Sequence, residues 1–144
     1  MLNPLSVIGY LVMVGGMLGL IFTHNLFSAA LPVLVAQVAA VGLMVWARIT
    51  FGRRSFHFGA SPTQGELVTA GPYRFIRHPI YSAVCLFVTA GVGAHLSWKS
   101  GLLGALVWAG ALIRIVCEER MLREHYPAYQ QYAGTTARMI PGLF

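Results

Sequence analysis

Two clusters of polar residues at the edges of apolar stretches hold most of the groups that could do chemistry. The first, residues 71–81, contains two arginines, a histidine and two tyrosines around two prolines. The second follows Arg114 and holds Glu118, Glu119 and Glu124, which are three of the four acidic residues in the chain. Polar groups this dense beside apolar sequence indicate either lipid-headgroup anchors or the floor of a binding site.

In the first cluster, Arg77, His78 and Pro79 stand where an apolar stretch begins. Proline is tolerated in the first turn of a helix, because the N–H it lacks would have no partner inside the helix. A helix N-terminus presents free backbone N–H groups and a positive dipole end, which favour a carboxylate or a phosphate. Arg77 and His78 would add positive charge and donors, so the pattern predicts an anion-binding helix start. A capped helix start with a snorkelling arginine is the structural alternative.

In the second cluster, Arg114 lies inside an apolar stretch between Ile113 and Ile115. A charge in such a place is costly, and an intramembrane ionisable residue is by default a functional hypothesis. Glu118 follows four residues later, so the two side chains share a helical face and can pair. Glu119 points about 100° away from that face and toward a different neighbour. A purely structural ion pair is the alternative.

The elements that must position these residues are membrane helices. The 144-residue chain is 57% hydrophobic and only 10% charged, with a mean hydropathy of +0.68, whereas a soluble domain carries about 25% charged residues. The composition predicts an all-α, polytopic membrane helix bundle, with residues 1–144 forming a single domain. The net charge of +6 could suggest nucleic-acid binding. However, nine of the ten basic residues are arginines beside or between apolar stretches, and this pattern favours membrane-flanking charge.

Four apolar stretches predict about four transmembrane helices. They cover approximately residues 4–23, 29–49, 80–94 and 101–117. The first two reach the roughly 20 residues that cross a hydrocarbon core, and the last two are predicted to form a hairpin lengthened by its amphipathic flanks. Glycines in the first two stretches predict close helix packing. They are Gly9, Gly15, Gly16, Gly19 and Gly42. The first stretch lacks the features of a cleavable signal peptide, so we expect it to remain.

The distribution of arginines predicts the orientation of the bundle. Five arginines lie at the end of the second stretch or between it and the third, and three lie in the C-terminal tail, whereas the first connection has no Lys or Arg. By the positive-inside rule, both termini and the arginine-rich connection are cytoplasmic, in the cytoplasmic membrane if the protein is prokaryotic. Within that connection, residues 51–58 mix aromatic and basic side chains. They are interpreted as an anchor to lipid headgroups or as a lid over a substrate.

Two further features are interpreted structurally or left open. Cys85 and Cys117 lie within apolar stretches and are interpreted as small buried hydrophobic residues, and no metal is expected because a metal site needs more ligands. Tyr126, Tyr129 and Tyr132 follow one another at three-residue spacing in the tail. That segment could lie on the membrane as an amphipathic element, or it could wall a pocket.

Together these motifs carry a family resemblance. They are Gly71-Pro72-Tyr73-x-x-Ile76-Arg77-His78-Pro79-x-Tyr81, Arg114-x-x-x-Glu118-Glu119, Tyr126-x-x-Tyr129 and Met139-Ile140-Pro141-Gly142. In this order they resemble the integral-membrane methyltransferases, which include the isoprenylcysteine carboxyl methyltransferases and the phospholipid N-methyltransferases. The resemblance covers about residues 50–144. The chain departs from the family at Ala83, where the family usually has a glycine two residues after the motif tyrosine.

The resemblance implies S-adenosylmethionine as the cofactor, held in a cytoplasmic-face pocket between the third and fourth stretches. Residues 1–50 are expected, from their apolar stretches, to form two N-terminal membrane helices, and the resemblance implies that residues 51–144 form the cofactor-binding catalytic core. The implied cofactor-binding residues are Tyr73, Arg77, His78, Pro79, Tyr81 and Glu119. Arg114 and Glu118 match the Arg-x-x-x-Glu element of the carboxyl methyltransferases and are the implied catalytic residues near the acceptor.

The expected function is methyl transfer from S-adenosylmethionine to a membrane-embedded or lipophilic acceptor, a carboxylate as in the isoprenylcysteine enzymes. The expected partners are a lipophilic or lipid-modified substrate and membrane lipid, without nucleic acid or metal. Phospholipid N-methylation and small-thiol S-methylation are alternatives within the same chemistry. Outside it, the chain could be a non-catalytic small membrane protein, or a membrane reductase using a nicotinamide cofactor.

Overall fold

The computed structural model describes residues 4–52 and 67–143. Within those ranges the chain forms five α-helices and one short 3₁₀ helix, and it has an isolated bridge but no strand. The elements are α1 (Pro4–Phe22), α2 (Leu31–Phe51), the 3₁₀ helix (Gly71–Arg74), α3 (Pro79–Ala94), α4 (Trp98–His125) and α5 (Tyr129–Thr135). The all-α fold is confirmed. From residue 53 onward, the segment predicted to be an anchor or a lid lies outside the described residues.

The helices have the composition of membrane spans. Among the described residues, α1, α2 and α4 are long and apolar enough to cross a membrane, and the apolar helix α3 is shorter at 16 residues. Large apolar side chains point outward from the bundle, for example Leu11 and Val38. A helix satisfies its own backbone hydrogen bonds, so an apolar outer surface is stable in lipid. The protein is an integral membrane protein.

Helices α1 and α4 pack closely and antiparallel, because glycines let their backbones approach. A Cβ atom on Gly9 would lie 2.9 Å from the side chain of Ile113, and one on Gly16 would lie 2.8 Å from the backbone oxygen of Leu103. The predicted close packing is confirmed at these two glycines and at Gly19, where a Cβ would meet the Leu103 side chain. It is wrong for Gly15, where a Cβ would have no neighbouring atom within 4 Å, since that position faces away from α4.

Close packing is also absent at Gly42 of α2, where a Cβ would again have no neighbouring atom within 4 Å. The two cysteines, Cys85 and Cys117, are unpaired thiols buried in the bundle, as the sequence predicted. Ala83, which stands where the family usually has glycine, is 2% exposed within α3. The interior therefore accepts its methyl group.

Helix α4 is longer than its apolar stretch predicted. It begins three residues earlier, where Ser97 and Ser100 form a reciprocal capping box, and it ends eight residues later at His125. The charged last part escaped a prediction based on hydropathy, because it is helical without being apolar. At 1.5 Å per residue, α4 is roughly 42 Å long, against a hydrocarbon core of ~30 Å. One continuous helix therefore carries Arg114, Glu118 and Glu119 near the membrane boundary.

The C-terminal segment folds back onto the start of α3. Ile76 and Ala137 form a parallel bridge. The N–H of Arg77 donates to the carbonyl of Ala137 at 2.8 Å, and that of His78 donates to the carbonyl of Arg138 at 3.0 Å. Ser82 Oγ donates to the carbonyl of Met139 at 2.8 Å. These contacts hold residues 137–139 against α3, and both roles predicted for the tyrosine-rich segment stay predictions.

Candidate active site

The structure brings the two polar clusters of the sequence together. The start of α3 lies against the last third of α4, and α5 with the following residues covers both. Contacts link six of the eight predicted site residues into one network. They are Arg77, His78, Tyr81, Arg114, Glu118 and Glu119.

Glu119 is the centre of the first half of this network. Its side chain is 5% exposed. Its carboxylate accepts from Arg77 Nε at 3.1 Å and from Arg138 Nε and Nη2, both at 3.0 Å. Arg123, one helical turn further along α4, also places its Nη2 3.5 Å from Glu119 Oε2. One buried carboxylate thus joins α4 to the start of α3 and to the C-terminal segment.

Arg77 also holds the C-terminal segment directly. Its Nη1 donates to the carbonyl of Ala133 at 2.6 Å and to that of Thr136. The guanidinium group therefore spans from α4 to the end of α5. Since a guanidinium group offers five donors in a fixed plane, one arginine can connect three elements in this way.

Arg114, Tyr81 and Glu118 form the second half of the network. Arg114 Nε donates to Tyr81 Oη at 2.7 Å, and Tyr81 Oη in turn donates to Glu118 Oε1. Arg114 Nη2 lies 3.4 Å from the same carboxylate oxygen. The predicted pairing of Arg114 with Glu118 one turn away is present. Glu118 keeps 23% of its side chain exposed, whereas Arg114 keeps 7%.

His78 lies between the two halves. Its Nε2 is 3.3 Å from Glu119 Oε1, and its Nδ1 is 3.8 Å from Glu118 Oε2. Glu118 and Glu119 leave the helix in different directions, as predicted, and the buried imidazole lies within reach of both. The imidazole is therefore the group through which the two halves of the network meet.

Pro79 and Tyr73, the other two predicted residues, lie at the border of the network. Pro79 is a fully buried first residue of α3, as predicted for a proline that begins a helix. Tyr73 packs its ring against Phe51 at 5.6 Å, and its carbonyl accepts from Tyr132 Oη at 2.6 Å. Burial, reinforced by the negative charge of Glu118, raises the pKa of Tyr73, so this phenol stays protonated.

Sequence reasoning missed two contributions to the network from α1. The carbonyl of Ser6 accepts from Arg114 Nη1 at 3.4 Å, and the Arg114 guanidinium carbon lies 5.3 Å from the centre of the Tyr10 ring. Nothing in the spacing of α1 marks these residues, since they become neighbours of Arg114 only through helix packing. Arg138 was also missed as a site residue. The one signal for it was an unexplained arginine directly before the Met139 motif.

Tyr129 has a buried hydroxyl with no hydrogen-bond partner among the described residues. The residue is 1% exposed, and its Oη makes no hydrogen bond within the part of the chain that the structure describes. Burial, reinforced by the charge of Glu119 and opposed by that of Arg77, raises the pKa of Tyr129. The phenol is therefore a protonated donor beside the Glu119 network, and a buried donor of this kind normally has a partner.

Comparisons with known proteins match this chain to a family and to two relatives. Residues 36–129 match the family model for phospholipid methyltransferases. The nickel-cobalt-cadmium resistance protein NccN of Alcaligenes xylosoxydans xylosoxydans is 36% identical over 123 residues, which are 81% of this chain and 52% of that protein. The cobalt-zinc-cadmium resistance protein CzcN of Cupriavidus metallidurans is 32% identical over 117 residues, which are 78% of this chain and 49% of that protein.

The chain therefore spans about half the length of these curated relatives. No solved structure matches it significantly. The family match begins in α2 and ends at the start of α5. Three residues that complete the network lie outside the matched residues, namely Ser6, Tyr10 and Arg138.

Proposed function

We propose that this membrane methyltransferase, which belongs to the phospholipid methyltransferase family, uses S-adenosylmethionine to methylate a lipophilic acceptor at the membrane boundary. The observation that carries the proposal is His78, which lies between Glu118 and Glu119 and joins the two halves of the network into one site. The site is amphipathic in the way this reaction needs, because its polar groups lie at the end of apolar helices.

The donor set suits S-adenosylmethionine, which carries a carboxylate, an ammonium and a sulfonium group. Arg77 and His78 offer positive charge and N–H groups for the carboxylate. Glu118 is the more exposed of the two carboxylates and lies beside the ring of Tyr81. A carboxylate and an aromatic face both favour a sulfonium cation. The Tyr129 hydroxyl, which has no partner within residues 4–52 and 67–143, would supply one more donor.

For the acceptor we propose a carboxylate, as in the isoprenylcysteine carboxyl methyltransferases. The cofactor supplies an electrophilic methyl group, and a carboxylate is already nucleophilic, so no strong base is required. Arg114 would orient the acceptor through its planar guanidinium group. Tyr81 and Glu118 hold that group from α3 and α4, and the Ser6 carbonyl holds it from α1. Catalysis would come from alignment and the exclusion of water.

A phospholipid amine is the second candidate acceptor, and two observations favour it. The matching family is described as phospholipid methyltransferases, and Glu118 is a partly exposed carboxylate inside the site. An amine acceptor loses a proton on methylation, and Glu118 could take it up. A small thiol remains a third candidate within the same chemistry, and a non-catalytic membrane protein is the alternative outside it.

The names of the two relatives refer to resistance to metal ions. In residues 4–52 and 67–143, no three His, Cys, Asp or Glu side chains come together as a ligand set for a metal ion. Our proposal for this chain therefore contains no metal site, and it concerns methyl transfer alone.

The test has a binding arm and a transfer arm. We expect S-adenosylhomocysteine to bind the purified chain in detergent by titration calorimetry, and His78→Ala to weaken it at least tenfold, or about 1.4 kcal/mol. Transfer of a tritiated methyl group is then measured with prenylcysteine, phosphatidylethanolamine and small thiols as acceptors. His125→Ala is the control, because His125 is an exposed histidine at the end of the same helix that carries Glu119. Absence of S-adenosylhomocysteine binding would remove the proposal.

A further inference from the structure

Two tyrosine rings lie close to the Arg114 guanidinium group, and one of them belongs to the first helix. The guanidinium carbon lies 5.3 Å from the ring centre of Tyr10 on α1 and 5.9 Å from that of Tyr81 on α3. Both distances are within the range of cation–π attraction, which is stronger where water is excluded. Arg114 is 6% exposed, so both rings act on a cation that is largely withdrawn from water.

The contact with Tyr10 differs in kind from the hydrogen bonds that hold Arg114. Tyr81 Oη accepts from Nε at 2.7 Å, whereas the Ser6 carbonyl lies 3.4 Å from Nη1 and Glu118 Oε1 lies 3.4 Å from Nη2. The last two distances exceed the usual range of about 2.7–3.2 Å, so an acceptor carboxylate can compete with these two contacts. An aromatic ring attracts a cation through its π face and occupies no N–H donor. The Tyr10 ring can therefore hold the guanidinium group while its terminal nitrogens turn to a substrate.

The close packing of α1 against α4 determines where the Tyr10 ring lies. A Cβ atom on Gly9 would lie 3.0 Å from the carbonyl oxygen of Gly110, and one on Gly110 would lie 2.5 Å from that of Gly9. These glycines let the two backbones meet directly beside Tyr10 and one helical turn before Arg114. Tyr10 is half-buried there, and it lies outside the residues that the family model matches. The register of α1 against α4 thus brings an aromatic ring of α1 to the acceptor side of the site.

From these contacts we infer that Tyr10 is a positioning residue of the acceptor site, an inference that rests on the proposed function. Its ring holds the Arg114 guanidinium group in place while Nη1 and Nη2 bind the acceptor carboxylate. Tyr81 holds the same group at Nε from α3. The recognised feature of the acceptor is its negative charge, which the methyl ester product lacks. Tyr10 therefore increases the discrimination between acceptor and product, and α1 is part of the acceptor site as well as a membrane span.

The experiment measures the affinity of the full chain in detergent for prenylcysteine and for its methyl ester, in the presence of S-adenosylhomocysteine. The unmodified chain should prefer the free acid, because only the acid offers Arg114 a carboxylate. Tyr10→Leu should lower this preference at least about fivefold, as expected for the loss of one cation–π contact withdrawn from water. Tyr10→Phe keeps the ring and should retain the preference. The affinity for S-adenosylhomocysteine itself should be unchanged in both variants.

Met17→Ala is the matched control on the same helix. Met17 lies two helical turns further along α1, where it packs against the apolar cluster that contains Leu20 and Val107. Its truncation should lower the Tm by loosening the bundle, and it should leave the preference for the acid unchanged. If Met17→Ala lowers that preference as much as Tyr10→Leu does, the effect of Tyr10 is only structural and the inference is overturned.

Three further results would also overturn the inference. They are an unchanged preference in Tyr10→Leu, an equal loss in Tyr10→Phe, and an equal loss of S-adenosylhomocysteine affinity in Tyr10→Leu. Failure of the proposed function shows in the unmodified chain instead. A chain without any preference for the acid would refute the carboxylate acceptor and this inference together, whereas a preference that Tyr10→Leu leaves intact would refute this inference alone. Absence of S-adenosylhomocysteine binding refutes the proposed function, and it is measured independently of the Tyr10 variants.

Discussion

Replacing Glu119 by alanine should destabilise the protein far more than the loss of an ordinary surface carboxylate. The Glu119 side chain is 5% exposed and that of Arg77 is 10% exposed, so the pair is largely withdrawn from water. Removing one partner of such a pair costs about 3–5 kcal/mol. Arg138 and Arg123 retain 30% and 54% exposure and can turn toward water. We therefore expect a loss near the lower end, about 3 kcal/mol.

The measurement is thermal unfolding of the purified chain in detergent. For a chain of this size, 1 kcal/mol corresponds to roughly 2–4 °C, so the apparent Tm should fall by about 6–12 °C. Glu124→Ala is the matched control on the same helix. Glu124 is 70% exposed and pairs with Arg120, also one turn away. Such a pair contributes about 0.5 kcal/mol or less, so the Tm of this variant should change by no more than about 2 °C.

Glu119→Ala should also loosen one particular part of the fold, the contact between the C-terminal segment and the start of α3. Arg138 loses its two contacts with Glu119, and the carbonyls of Ala137 and Arg138 accept from the amides of Arg77 and His78. Hydrogen exchange at those two amides should therefore accelerate, while exchange in the middle of α4 stays slow. If Glu119→Ala and Glu124→Ala have the same Tm, or if exchange at residues 77 and 78 is unchanged, the linking role of Glu119 is refuted.

Three further predictions concern the acceptor, the packing and the topology. Arg114→Lys should leave S-adenosylhomocysteine affinity nearly unchanged and lower methyl transfer strongly, since an ammonium group cannot reproduce planar guanidinium contacts. A loss of cofactor affinity with normal turnover would instead assign Arg114 to the cofactor site. Gly16→Ala should destabilise by about 1–3 kcal/mol, because its Cβ would lie 2.8 Å from a backbone oxygen of α4, whereas Gly15→Ala, facing open space, should not lower the Tm. A cysteine at position 64, outside the described residues, should be labelled only from the cytoplasmic side, and labelling from the outside would overturn the proposed orientation.

Much of the fold was accessible from the sequence, because a membrane imposes a simple physical constraint. Backbone groups in hydrocarbon must be satisfied within the segment, so long apolar stretches become helices. The predicted bounds of α1, α2 and α3 agree with the structure to within two residues at each end. The prediction failed at α4, whose last eight residues are rich in charge and still helical. Hydropathy detects contact with lipid, and it does not detect a helix that continues into water.

The sequence by itself predicted the side chains of the candidate site, since the Arg77-His78-Pro79 motif and the Arg114-Glu118 spacing are local patterns with local physical meaning. Tertiary structure alone decided which groups hold them. Arg114 contacts the carbonyl of a residue 108 positions away, and Gly16 packs where its neighbour Gly15 does not. Such contacts depend on the rotation and register of one helix against another. Those are set by the packing of all the helices together, which no local pattern encodes.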